Sequence, residues 1–160
     1  MKPSVSNSVS FCLPKVPRLS GHVANNRISL DQIKFHPHSF GDPDGRLFWL
    51  DGALYFCTGE SERKAKNLAR NSYCVITTGC NALDEGLDLV VEGEAARVSD
   101  EARLQRVAEM YESKYGWHFT VRDGAFHGDA GNIALVYEVP PTTAFGFGKG
   151  KLFSQTRWRF

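Results

Sequence analysis

"RLFWLDGALYFCTGESERKAKNLARN", residues 46 to 71, decides the fold. Two apolar runs meet at Asp51-Gly52, a dipeptide that strongly favours a two-residue hairpin turn, so residues 47 to 58 read as paired antiparallel strands. Gly59 breaks the second strand. Ser61 then stands where a helix cap belongs, ahead of Ala65, Leu68 and Ala69 on one helical face, and the helix is expected from about Ser61 to Asn71. Arg63 and Lys64 fall in its first turn, where exposed N–H groups already carry partial positive charge. A cation pair there costs about 0.3–1 kcal/mol per charge. An anion seated at the turn would remove the conflict, with Thr58 and Ser61 adding neutral donors to the two charged ones. The competing reading is that both cations lean outward and pair with Glu60 and Glu62 on a solvated face.

Downstream, "YCVITTG" (73–79) is a strand rich in β-branched residues, and "LDLVVEGEAARV" (87–98) a longer one in which Gly93 marks a bulge or a close approach. Ser99 or Asp100 caps a second helix, whose apolar positions Leu104, Val107, Ala108, Tyr111 and Tyr115 recur every three or four residues and which Gly116 ends. The glycine-broken stretch from His118 to Asn132 reads as a long loop. "IALVYEV" (133–139) is a strand closed by Pro140-Pro141, and "LFSQTRWRF" alternates as a last strand. Hairpin-linked strands with two inserted helices point to a mainly β, antiparallel barrel and away from a doubly wound parallel sheet.

Residues 1–44 differ. Ser, Pro, Asn and Gly are frequent, "FHPHSFGDPDG" reads only as turns, and the segment is expected to be loosely ordered. Its first 30 residues hold six serines and no acid, a composition that transit peptides share, but without their amphipathic arginine pattern or the apolar core of a secretory signal. No apolar run approaches the roughly 18 residues that cross a bilayer. The expected location is the cytoplasm.

With 42% hydrophobic and 23% charged residues and a net charge of +1, the chain lacks the strongly basic face that binds nucleic acid or a membrane surface in bulk. Any anion site is therefore local. Cys12, Cys57, Cys74 and Cys80 show no C-x-x-C spacing, and the five histidines are not spaced as metal ligands, so reduced thiols and no metal are expected. The segment around Ser61 is not a Walker loop, no G-x-S-x-G occurs, and no carboxylate pair stands out, which leaves the catalytic residues unassigned. Reactivity, if the protein is an enzyme, belongs to a bound cofactor.

The C-terminus is unusual in ending on Phe153, Trp158 and Phe160, which argues for a strand docked in a core or a subunit interface. On such a strand Thr156, Trp158 and Phe160 share one face, and Gln155, Arg157 and Arg159 the other. "FGFGKGK" before it has glycine spacing like a dinucleotide fingerprint but precedes a strand, so its glycines are read as a bend or a close backbone approach, with Lys149 a further anion contact.

"LDGALYFCTGESERKAKNLARN", "VVEGEAARV", "YESKYGW" and "AFGFGKGKLFSQTRWRF", in that order, resemble the pyridoxamine 5'-phosphate oxidase-related flavin and deazaflavin split-barrel proteins from about Leu50 to Phe160. The resemblance implies a six-stranded antiparallel split β-barrel with inserted helices over residues 45–160, and a homodimer holding its cofactor, FMN or coenzyme F420, at the subunit interface. It implies that the strand-to-helix segment cradles the cofactor phosphate through Thr58, Ser61, Arg63 and Lys64, with Asn67 close behind. Lys149, Gln155, Arg157 and Trp158 would approach the ring from the partner subunit. "FHPHSFGDPDGRLFWL" keeps a Pro-His pair but lacks the family's alternating apolar strand. The function expected is hydride transfer between flavin or deazaflavin and a small organic substrate; the alternative is a non-catalytic split barrel binding flavin, deazaflavin or haem. Lys149 and Lys151 lean towards the anionic tail of F420.

Overall fold

The computed structural model describes residues 7–12, 47–79, 84–150 and 153–160, and among them are eleven strands and two helices. Expectations that rest on His22, His36, His38, Cys80, Lys151 or residues 35–45 lie outside these residues. Strand β1 (Asn7–Cys12) belongs to the segment that lacked sequence periodicity. Next come β2 (Leu47–Leu50) and β3 (Ala53–Gly59), paired antiparallel with Leu50 opposite Ala53. Asp51 and Gly52 both take left-handed backbone, φ 48° and 84°, the geometry of the hairpin turn that the dipeptide predicts.

Helix α1 (Arg63–Leu68) is shorter than expected, and its cap is Glu62, not Ser61. Strand β4 (Tyr73–Gly79) and β5 (Gly86–Glu94) follow, and the chain then crosses at Ala95 into the short β6 (Ala96–Val98). Helix α2 (Glu101–Tyr115) is capped by Asp100, whose carboxylate accepts from the Arg103 amide at 2.8 Å, and ends at Gly116 with φ 67°. The expected loop from His118 to Asn132 instead contains a hairpin, β7 (Thr120–Arg122) and β8 (Ala125–His127), turning at Asp123-Gly124 with φ 53° and 66°. Strand β9 (Ile133–Val139) ends at the two prolines, as read, but β10 (Pro141–Lys149) starts at the second of them. Gly146 and Gly148 of "FGFGKGK" are thus mid-strand, where Gly146 serves the close approach read for it and not a bend, and Gly150 follows the strand's end. Strand β11 (Ser154–Arg159) closes the chain.

These strands form two open sheets. One has the order β1-β4-β5-β10-β11; the other runs β2-β3-β9-β8-β7, with β6 also paired to β9. Pairing is antiparallel except for β1, which lies parallel to β4. Two of the chain's passages between the sheets are tight corners, at Ala95 and at Pro140, and these two stack on one another. A Cβ on Gly93 would stand 2.4 Å from the Pro140 carbonyl oxygen, so only glycine admits this approach. The register slips between Pro141 and Thr143, the bulge that bends β10 out of the corner.

Leu47, Leu54, Phe56, Ile76, Val91 and Val139 fill the space between the sheets. Phe48, Tyr55, Leu104, Val107, Tyr111 and Phe126 fill the space between the second sheet and α2. Strand β3 reads as a continuous apolar run because both of its faces are covered. Among the described residues, only one face of the first sheet is packed in a core. On it the register aligns Ile76, Val91, Ala144 and Trp158, while the row Thr77, Val90, Phe145 and Arg157 faces outward.

Candidate functional site

The end of β3 and the start of α1 are tied together by Glu62. Thr58, 2% exposed, donates its hydroxyl to Glu62 Oε2 at 2.6 Å, and the Gly59 amide donates to Oε1 at 3.1 Å. The backbone closes the same turn: the Glu62 amide donates to the Gly59 carbonyl, and the Lys66 amide to the Glu62 carbonyl. A carboxylate held by two donors outcompetes Ser61, which is left exposed, and this sets the helix start one residue late. Glu62 also puts a negative charge beside the N–H groups that Arg63 and Lys64 disfavour. Neither of the two readings of this turn anticipates that arrangement: Glu62 spends its carboxylate on Thr58 and Gly59, and exposed Arg63 has no ion pair among the described residues. Lys64 and Asn67 are half-buried on the same helix.

A cleft of about 450 Å³ opens beside this turn. Thr58, Glu62, Trp117, Phe119, Asp129 and Asn132 contribute to its lining. Its aromatic wall is anchored by Tyr111, buried, which stacks on Trp117 and meets Phe119 and Phe126 edge-on. Burial, with Cys57 as a neighbour, pushes the Tyr111 hydroxyl's pKa well up. Residues 117–119 and 128–134 were not read as site residues. The run Trp117-His118-Phe119 at the end of a helix was the available signal, hidden because its neighbourhood read as a loop.

The C-terminal candidates fall on the other sheet, and they do not share a face. Lys149 pairs with Asp88 at 2.7 Å, so a carboxylate of its own sheet already meets its charge. The Arg157 guanidinium lies over the Phe145 ring at 5.6 Å, directly across the β10–β11 pair, and exposed Gln155 stands opposite Phe147. Trp158 points the other way, into the space between the sheets. Gly146 makes room for it, since a Cβ there would sit 2.8 Å from the indole Cη2. Phe153 and Phe160 remain exposed in the single chain, at 78% and 63%, so neither is docked in its core.

Cys57 and Cys74 are buried and in no disulfide, and burial pushes the Cys74 thiol up to about 11. Among the described residues no group of three His, Cys, Asp or Glu side chains is placed to hold a metal ion, and no helix is long and apolar enough to cross a membrane.

Two open, mainly antiparallel sheets joined at stacked corners, with two inserted helices, define the split-barrel class. The chain belongs to the pyridoxamine 5'-phosphate oxidase family, whose model matches residues 38–139. The match takes in β3, α1 and the cleft, begins ahead of β2, and stops before β10. No curated protein matches the sequence. Similar solved structures include a NimC/NimA family protein from Clostridium acetobutylicum (18% identity, 73% of this chain and 74% of that one, TM-score 0.46). PhzG from Burkholderia lata 383, in complex with tetrahydrophenazine-1-carboxylic acid, is 13% identical over 71% of this chain and 66% of its own, TM-score 0.49. A pyridoxamine 5'-phosphate oxidase-related, FMN binding protein from Nostoc punctiforme is 13% identical over 72% and 76%, TM-score 0.43. At these values the likenesses add no functional argument to the family match.

Proposed function

We propose that the protein is a cytoplasmic, homodimeric oxidoreductase of the pyridoxamine 5'-phosphate oxidase class that binds FMN or coenzyme F420 and acts on a small organic substrate. The observation that supports this most directly is the β3–α1 turn within the family match. There the Thr58 hydroxyl and the Gly59 amide converge on one acceptor, and exposed Arg63, without an ion pair among the described residues, opens the helix that follows. Arg63 and Lys64 would balance a phosphate, with Ser61 and Asn67 within the same turn and helix. Lys149, Gln155 and Arg157, on the uncovered face of the first sheet, and Trp158 at its edge are the residues offered to the ring across a dimer interface. The bound cofactor supplies two-electron redox chemistry. The chain's own part is to fix the phosphate, cover the ring and exclude water.

A titration followed by flavin or deazaflavin fluorescence tests this reading. Arg63→Ala with Lys64→Ala should weaken FMN or F420 binding by about tenfold or more, the loss of at least one charge-assisted contact. The thermal midpoint should hold or rise slightly, because two cations leave a helix start. Unchanged affinity in the double variant sinks the phosphate assignment.

The occupation of Thr58 and Gly59 by Glu62 favours a second reading, a non-catalytic split-barrel module that binds flavin, deazaflavin or haem without turnover. Reduction of the bound cofactor coupled to an acceptor would exclude it.

A further inference from the structure

A phosphate seated between β3 and α1 would draw on the Thr58 hydroxyl and the Gly59 amide, and both already serve a carboxylate of the chain itself. The Thr58 to Glu62 bond, at 2.6 Å, has the length of a charge-assisted O–H···O contact. Thr58 is almost wholly buried, so water does not readily take the place of its acceptor. Glu62 Oε1 is packed against the backbone as well, since a Cβ on Gly59 would stand 2.9 Å from it. A carboxylate and a phosphate cannot hold the same two donors, and two anions in contact repel.

We infer that Glu62 is an internal anion that competes with the cofactor phosphate for Thr58 and Gly59, and so sets how strongly the site prefers a phosphorylated ligand over its phosphate-free form. This rests on the cofactor reading above. In the free protein the turn is satisfied without a ligand. A phosphate must displace the carboxylate, and Glu62 is only half-buried, so its side chain has a path to solvent. The phosphate then contributes less to affinity than Arg63 and Lys64 alone would lead one to expect.

FMN and riboflavin share a ring and differ by the phosphate, which makes them the pair to titrate by flavin fluorescence. Four proteins are compared: the full wild-type chain, Glu62→Gln, Glu62→Ala, and the Arg63→Ala, Lys64→Ala double variant. Wild type should prefer FMN over riboflavin by no more than about tenfold. Glu62→Gln, which keeps the length of the side chain and removes its charge, should tighten FMN about tenfold and leave riboflavin unchanged. Glu62→Ala should shift the preference the same way. A merely structural role would move both ligands together, so equal shifts overturn the inference, as does a wild-type preference of about a thousandfold. If the double variant loses FMN selectively while neither Glu62 variant moves the preference, the phosphate cradle stands and the role of Glu62 falls. If no variant moves it, both fall; if no protein binds either flavin, the FMN reading falls and this role of Glu62 falls with it.

Discussion

At the residue scale, the cations that open α1 posed a question that the chain answers with its own carboxylate. Ser61 and Glu62 are adjacent and either can cap a helix. Propensity favours the serine, but propensity counts only the bond a cap makes to its own helix. Glu62 is chosen by two donors that precede it, Thr58 and Gly59, and one of these is a buried hydroxyl that needs an acceptor. The residue types of the site were therefore legible, and the partner that ties them was not. Cys74 shows the same dependence on surroundings. Burial raises its thiol from 9.0 to about 11, only partly offset by the Ala95 amide. Between those two pH values the unfolded chain has lost this proton while the folded chain keeps it. Stability must therefore fall as pH rises through that window and is fully present below it. Urea unfolding at pH 8 and pH 10.5 should show this loss, and Cys74→Ala should reduce it. Equal losses in the two proteins would remove Cys74 from the explanation, leaving Tyr55 and Tyr111, which burial also raises.

At the element scale, length and neighbours decided what the sequence disclosed. Asp51-Gly52 was readable because seven residues of β3 follow it and four of β2 precede it, all but the last few apolar. Asp123-Gly124 makes the same turn between strands of three residues, too short to show alternation, so it passed as loop. Strand β10 was hidden for another reason. Glycine weakens a strand wherever propensity alone is considered, yet Gly146 is needed because the Trp158 ring lies where its Cβ would be. Gly146→Ala should force the indole off the inner face and cost about 1–3 kcal/mol, the usual penalty of overpacking. Among the described residues strand β11 is an edge strand with no neighbour beyond β10, so hydrogen exchange should quicken in its amides first. Protection lost evenly across both sheets would mean that Trp158 does not pin this edge.

At the scale of the whole molecule, the two sheets are unequal. The second has the core on one side and α2 on the other, whereas the first has one face that no described residue packs into a core. That face carries Val90 and Phe145 in one row, with Phe147 at 36% and Tyr73 at 43% exposure nearby, and it is rimmed by Arg157, Arg159 and the Lys149–Asp88 pair. An apolar centre with a charged rim is the anatomy of a protein interface. The exposed Phe153 and Phe160 lie at either end of β11, on the margin of the same sheet. The dimer proposed above would cover this surface and bring one subunit's Gln155 and Arg157 towards the other's cofactor. Phe147→Glu tests both halves of that statement, because it sets a second carboxylate directly across from Asp88 on the proposed interface. The side chain is exposed in the single chain, so the fold should lose no more than about 1 kcal/mol. Sedimentation equilibrium should find wild type dimeric and the variant's dimer weakened by at least about tenfold, with cofactor affinity falling in step. A variant that sediments as a monomer yet binds cofactor like wild type would confine the site to one subunit, and the C-terminal residues would then lose their place in it.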